Sequence, residues 1–542
     1  MTSFHDIANA RLRDGERLPA AARESDLALY LARRFLPRAD GTVVLADWGV
    51  ENLTWLRTAF PDAEIVCLTR SELNAEIVCR FGARLTQDAV HALDRRTPLL
   101  SARRVVTRRQ AALLSLTAAM MLALAWVQPS LLLIGLIALM SVLFLLSVFF
   151  RAVLALWGAP PRDAPCSVAD RNLPAYTILV PLYREAAVLP ALTRALLSLD
   201  YPCGLLDIKL IVEADDLETA RACEALDGPF EVVSVPPSLP RTKPKAVNFA
   251  LPFARGEFAV IYDAEDRPEP DQLRKAVAMF RALPQTTACL QARLAFYNAR
   301  ENWLTRQFEA DYRLWFGLLL QGLDRIGVPI PLGGTSNHFR IDVLRDIGAW
   351  DPFNVTEDAD LGIRLSQRGF RVAMLDSTTF EEAPTRLGVW IKQRSRWLKG
   401  YMQTWLVHSR QTGSLVRQTG LKGFLAFQFF IGGAVVSAIV NPLLWIVCVL
   451  SYAFPGLFPS GLEQLSAVGA IGSNSILAGL AVSAAIRCGD RRLLPCGLTV
   501  AFYWLLISVA GWRGLWHLVT RPFHWEKTTH GLSRHAAEPT DA

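Results

Sequence analysis

The apolar residues of this chain gather into a few long runs, and between them the sequence changes to the shorter mixed pattern of a soluble α/β protein. Residues 111–127 and 130–150 carry no charge and are separated only by Gln128 and Pro129. The second run extends about 31 Å as a helix, enough to cross a bilayer, and the first is at the short end of the spanning range. Together they predict a hairpin. Three more uncharged runs follow at 424–454, 465–486 and 493–510. As one helix the first of these would be about 46 Å long, beyond the roughly 30 Å of hydrocarbon, whereas a break at Asn441 and Pro442 leaves two short pieces. The one-helix reading puts Arg487, Arg491 and Arg492 inside and the tail RPFHWEKTTHG outside. The two-helix reading reverses both, so the pattern allows five or six spans.

Charge supplies an orientation. Arg103, Arg104, Arg108 and Arg109 precede the hairpin, Arg151 and Arg162 follow it, and its tip has no basic residue. Both flanks are therefore expected on the cytoplasmic side. No acid occurs from 383 to 462, while Arg386, Lys392, Arg394, Arg396, Lys399, Arg410, Arg417 and Lys422 lead into an apolar run. This reads as a basic collar against anionic lipid headgroups. It accounts for the formal net charge of +7 without nucleic acid, for which there is neither zinc-finger spacing nor a basic-region heptad. The opening MTSFHDIANARLRDGER lacks the apolar core of a secretory signal, so the first segment is expected in the cytoplasm.

The pattern divides the chain into a small soluble N-terminal α/β domain (1–105), a transmembrane hairpin (106–152), a central α/β domain (170–385), basic amphipathic interfacial helices (386–423), a C-terminal transmembrane bundle of three or four helices (424–520) and a tail (521–542). DAPCSVADRNLP is the linker into the central domain. The first domain offers no readable chemistry, and regulation or docking of an export partner is its expected role. A hydrophobic share of 52% with 20% charged residues excludes disorder, collagen and a disulfide scaffold. The nine cysteines form no CxxC pair and read as reduced packing residues.

From Tyr176 short β-branched strands alternate with helical segments: YTILVPLY, DIKLIVEADD, EVVSVPP and GEFAVIYDAED. This spacing predicts a mainly parallel, Rossmann-like sheet with helices on both faces, and ligands in such sheets bind beyond the carboxyl ends of the strands. The acids collect there. Asp215 and Asp216 end one strand, and Asp263, Glu265 and Asp266 end another. Carboxylates one residue apart can present oxygens to a hard divalent cation, although acids in such places also start turns and cap helices. In VTEDADLGIRL, Thr356 can be an N-cap with Glu357 and Asp358 favouring the helix dipole, or Asp358 can face the crevice as a general base. In KQRSRWLKG, Gln393 and Arg396 share a helix face; an arginine suits a diphosphate and Trp397 suits a sugar ring, while an interfacial helix with snorkelling cations explains the same residues. Phe308, Tyr312, Trp315 and Leu319 form a stripe expected to pack, and Lys243 and Lys245 can meet phosphate or be solvated.

The ordered set of Asp215, DAE at 263–265, TED at 356–358 and QRSRW at 393–397, with membrane runs before and after, resembles the family 2 membrane glycosyltransferases, a group that includes cellulose, chitin and hyaluronan synthases. The resemblance covers about residues 110–527. It implies a GT-A fold, a nucleotide-sugar donor of the UDP-hexose type, Mg2+ or Mn2+, a growing glycan acceptor and a multi-pass protein of the plasma (inner) membrane with a cytoplasmic catalytic domain. By that likeness Tyr183, Glu185, Asp215, Lys245, Asp263, Gln393 and Arg396 bind the nucleotide sugar, and Asp263 with Glu265 serves the metal. Asp358 is the base of an inverting transfer, with Glu357 and Trp397 at the acceptor. Glu265 stands where many relatives have Asp, and Asp266 competes for that assignment. The likeness also favours six spans. A single transfer to a lipid or protein acceptor, and a membrane receptor or scaffold with an inactive transferase domain, are the rival readings.

Overall fold

The computed structural model describes residues 21–46, 49–158 and 168–526. The N-terminal segment read for a signal, Arg162, Cys166, the first five residues of the 163–174 linker and the tail beyond Glu526 lie outside the described residues. The eight described cysteines are all free.

The N-terminal domain is a three-stranded sheet, β1 (Phe35–Pro37), β2 (Val43–Leu45) and β3 (Ile65–Cys67), with β2 central. Its long helix Arg70–Arg96 begins with a capping box between Thr69 and Glu72, which satisfies backbone donors at that end. Leu73, Ile77, Phe81, Leu85, Ala89 and Leu93 recur every four residues and are buried, so one stripe of this helix faces apolar neighbours. Polar contacts then fix it to the central domain: Asn74 donates to Glu231 (3.2 Å), and Asn248 donates to the Ala89 carbonyl (3.0 Å).

The central sheet has eight strands: β4 (Tyr176–Leu182), β5 (Leu206–Glu213), β6 (Phe230–Val235), β7 (Phe258–Ile261), β8 (Arg267–Pro268), β9 (Thr287–Phe296), β10 (Asn337–Arg340) and β11 (Arg371–Glu381). Their order is β6-β5-β4-β7-β10-β9-β11-β8. The first four run parallel, β10 is antiparallel to both neighbours, and β11 is parallel to β9. Alternation places Ile178, Val180, Ile208 and Leu210 against one helical layer and Leu179 and Ile211 against the other. Each such side chain contributes about 1.5–3 kcal/mol when fully buried. Both faces are covered, as expected of strands that read as near-continuous apolar runs.

Among the described residues, five helices are long and apolar enough to cross a membrane. Asn441 and Pro442 do not interrupt the first C-terminal run: the helix Gly433–Ala453 continues through Pro442, and the break in φ comes earlier, at Gly420. The excess length sits beside the central domain, where Lys422 donates to the Ile326 carbonyl and Trp405 donates to Gln428 (2.8 Å). Asn474 donates to Asn441 (2.9 Å), a buried amide pair joining this helix to the next.

The last apolar helix, Cys496–Thr520, differs from the others. Gln307 donates to its Cys496 carbonyl (3.0 Å) and Trp303 to Thr499 (3.0 Å). At the other end Gln403 donates to the Pro522 carbonyl (3.1 Å) and Lys399 to that of His524 (2.8 Å). Both ends therefore lie on the central domain and its basic helix. Leu498, Phe502, Val509, Trp512, Trp516 and Val519 form an exposed apolar stripe on its outer side.

The helical stretch 303–326 fastens the sheet to the hairpin through glycines. A Cβ on Gly322 would lie 2.4 Å from the Leu154 carbonyl oxygen, and one on Gly158 would lie 2.4 Å from that of Leu318. Only the missing side chains permit this approach, so Gly322→Val is expected to cost about 1–3 kcal/mol by overpacking. Thermal unfolding of the purified protein in detergent checks this. A midpoint as high as that of Gly135→Val, where nothing lies within 4 Å of the added carbon, would show that the two helices do not meet.

Candidate functional site

The carboxyl ends of β4, β5 and β7 open into a cavity of about 950 Å3. Its outer part carries the polar residues anticipated from sequence, and its inner part runs between helices of the membrane bundle. After β7 the chain turns through Asp263, Ala264, Glu265 and Asp266. Asp266 folds back beneath the turn, accepting from the Asp263 amide (2.7 Å) and from Thr335. Asp263 and Glu265 are left facing the cavity. This resolves the competition between the carboxylates: Asp266 is almost fully buried and holds the turn, and burial together with Asp263 and Glu265 pushes its carboxyl well above the usual range.

The two lysines of TKPK exchange the roles expected of them. Lys245 is the anticipated phosphate contact, but it is fully buried, pairs with Glu213 (2.7 Å) and does not line the cavity. Lys243 enters the cavity instead, donating to Asp263 (2.5 Å) and to the Gly334 carbonyl (2.6 Å). Burial alone would lower its ammonium, but Asp263, Asp358 and Glu357 around it more than reverse this.

Asp215 is also displaced from its expected place. It is partly exposed, pairs with Arg241 (2.7 Å) and does not line the cavity, whereas Arg241 does. Tyr183 and Glu185 line the cavity as expected, with Glu185 accepting from the Tyr183 amide (3.2 Å).

Glu357 and Asp358 open the helix Glu357–Gln367, and both are buried in the cavity wall. Thr356 occupies the N-cap position without a side-chain cap, its amide bonding instead to Asn354 (3.0 Å). Asp358 Oδ1 accepts from Trp350 Nε1 (3.1 Å), and Trp350 is itself held through its amide by Asn248 (3.1 Å). Burial, and then Glu357 beside it, hold the Asp358 carboxyl well above the ordinary carboxylate range, against the pull of Lys243. Burial raises Glu357 likewise. Glu381, at the end of β11, faces the same space and is raised by burial and then by Asp266.

Gln393, Arg396 and Trp397 come from the helix Leu387–His408 and line the opposite wall. Gln393 Oε1 and Arg396 Nε are buried without hydrogen-bond partners. Unsatisfied polar atoms on a cavity wall are the groups a polar ligand would complete. Trp397 stacks on Tyr312 at 6.2 Å. The 308–319 stripe both packs, at the fully buried Phe308, and forms cavity wall, at Tyr312, Trp315 and Leu319.

Several lining residues had no signal in the sequence. Trp525 lies under the Arg396 guanidinium at 4.4 Å, although the tail was read only for orientation. Arg394 pairs with Asp311 (2.5 Å) and Tyr503 (2.9 Å). His91 and Arg103 reach the opening from the N-terminal domain and its linker.

Carboxylate oxygens at Asp263 and Glu265 are hard donors that suit Mg2+ or Mn2+. Among the described residues no group of three or more His, Cys, Asp or Glu is arranged for a metal. An ion of this kind takes one or two protein carboxylates and completes its shell on substrate phosphates.

A family model described as Glycosyltransferase like family 2 matches residues 174–400. The beta-monoglucosyldiacylglycerol synthase of Trichormus variabilis is 29% identical over 245 residues, covering 43% of this chain and 50% of that protein. The probable glucomannan 4-beta-mannosyltransferase 1 of Arabidopsis thaliana is 26% identical over 254 residues, covering 45% of each chain. This chain thus spans about half the length of these relatives. Among solved structures, the mannosyltransferase PcManGT of Pyrobaculum calidifontis, in complex with GDP-Man and Mn2+, aligns with a TM-score of 0.46 and 17% identity, over 70% of this chain and 99% of its own. The parallel strands and the acids at their carboxyl ends agree with this match of residues 174–400 to a glycosyltransferase-like family 2 model, on a GT-A-like mixed sheet.

Proposed function

We propose that the protein is an inverting, metal-dependent membrane glycosyltransferase that takes a nucleotide sugar of the UDP-hexose type and builds and exports a β-linked polysaccharide. The observation that carries the reading is the meeting, in one cavity, of Asp358 with Asp263 and Glu265 on one wall and Gln393, Arg396 and Trp397 on the other. Asp263 and Trp397, the outermost of these groups, stand 134 positions apart in the sequence, and their shared cavity supports a common substrate.

In this reading Lys243 and Arg396 meet the donor diphosphate, and Tyr183 and Glu185 flank the nucleotide. Asp263 and Glu265 would hold the divalent ion, which when bound supplies charge stabilisation to the leaving diphosphate. Trp397 and Glu357 position the acceptor. Asp358 takes the proton from the acceptor hydroxyl as that oxygen attacks the anomeric carbon, and the sugar–phosphate bond breaks with its electron pair leaving on the diphosphate. A single displacement inverts the centre, turning an α-linked donor into a β-linked product. Trp350 keeps Asp358 oriented through its indole hydrogen bond.

The placement of charge supports a cytoplasmic catalytic domain at the plasma (inner) membrane. The helices Arg108–Val127, Pro129–Trp157, Gly433–Ala453 and Leu462–Arg487 then make four crossings, fewer than the five or six expected from hydropathy. The last helix lies along the interface with its apolar stripe toward lipid, which keeps Trp525 on the catalytic side. The His91 and Arg103 side chains at the cavity mouth give the N-terminal domain a place from which to regulate the site. Single transfer to a lipid acceptor is a second reading, favoured by the apolar inner half of the cavity.

Membranes containing the protein, incubated with a panel of nucleotide sugars, should yield a β-linked product whose size separates the two readings. Asp358→Asn should lower transfer by about 10²–10⁴-fold while donor binding stays within a few-fold; turnover at the wild-type rate would refute the base assignment. Because the Asp358 carboxyl is raised, and a base must be ionised, transfer should fall as pH drops through a midpoint well above the ordinary value of about 4. A pH–rate profile whose acid limb sits at about 4 would exclude Asp358. Chelation of divalent ions should stop synthesis and Mn2+ or Mg2+ should restore it, whereas undiminished product in chelator would remove the metal from the reading.

A further inference from the structure

Beyond Trp397 the cavity continues inward past Tyr401, Ala434, Trp504 and Ile507 to Arg151. Arg151 was expected as a cytoplasmic flank of the hairpin. The structure instead buries it within the helix Pro129–Trp157, at 4% exposure. Its guanidinium lies 5.2 Å over the Trp504 ring, and its Nε has no hydrogen-bond partner. No ion pair of Arg151 occurs among the described residues.

The second cation of this branch, Arg394, makes the contrast plain. Arg394 has its carboxylate in Asp311 and a further partner in the Tyr503 hydroxyl. Asp311 is also the acid whose charge reaches Arg151, so two cations share one carboxylate and the branch keeps a net positive charge. A buried charge without a counter-ion is costly, and the face of an aromatic ring returns only part of that cost. A charged residue kept inside a membrane helix and turned toward a cavity is the mark of a ligand site. The rest of the wall here is aromatic or aliphatic, which suits a chain more than a second polar group.

We infer that this inner branch binds the anionic headgroup of an amphiphile, a phosphate or carboxylate held by Arg151, with its apolar part along Tyr401, Ala434, Trp504 and Ile507. Arg151 is here a ligand-binding residue and not part of the transfer machinery. The inference concerns binding, and only the use of that amphiphile as acceptor rests on the transferase reading.

The test uses the full chain in neutral detergent without nucleotide sugar. Native mass spectrometry would follow titration with decyl phosphate, inorganic phosphate and decyl glucoside. Removing a charge-assisted contact should make decyl phosphate bind about 10- to 100-fold more weakly to Arg151→Gln than to wild type, with partial recovery in Arg151→Lys. Decyl glucoside should bind all three alike. Should Arg151→Gln not fold, Ala434→Trp keeps the charge and fills the branch, and is expected to exclude decyl phosphate. Equal affinity of wild type and variants for decyl phosphate would overturn the inference. Inorganic phosphate binding as tightly as decyl phosphate would overturn it too, since the site would then take a free anion and not an amphiphile. Donor binding, measured separately on the same variants, should be unchanged, which separates failure here from failure of the transferase reading.

Discussion

One ammonium group holds the arrangement of the site. Asp263, Glu357 and Asp358 crowd one cavity, burial resists the ionisation of Glu357 and Asp358, and Lys243 is a cation placed among the three. Its bonds to Asp263 and to the Gly334 carbonyl tie the end of β7 to the loop before β10. The next lysine, Lys245, cannot do this. It starts from the other side of the same short helix and neutralises Glu213 in the interior. Moderate shifts in the position of Lys243 would therefore alter Asp263, Glu357 and Asp358 together.

Much of this was legible in the chain because the signals are local. Alternating apolar strands with acids at their ends give the sheet and the edge where a ligand sits, and TED and QRSRW fall on helices whose faces can be counted. The lysines were not separable, since two residues of spacing at a helix start do not say which one turns inward. Trp350 and Asp311 had no signal, because each matters only through a partner that folding brings to it. Hydropathy gave the lengths of the apolar helices but not their direction. A 25-residue helix with both ends on the central domain has the same composition as one that leaves it.

The N-terminal domain is joined to the site by more than its linker. Ser101 and the Ala102 amide bond to Asp351, whose carboxyl burial pushes up to about 6, and Arg410 gathers the Leu99, Ser101 and Arg104 carbonyls. Phe353, two residues farther on, meets His91 from one side and Phe523 from the other. The loop that presents Glu357 and Asp358 is thus wedged between the two outer segments of the chain. Movement of either would be felt first at Glu357 and Asp358.

The glycines where 303–326 crosses the hairpin carry one more consequence. One continuous apolar cluster includes Leu45 of the first domain, Val247 of the second and Ile431 and Leu477 of the bundle. A seam so close leaves no natural place to cut, and a catalytic fragment freed from its helices would carry away a bare greasy flank. Chemistry and anchorage in this protein are one folding unit, so a water-soluble excised form would have to be redesigned along that flank.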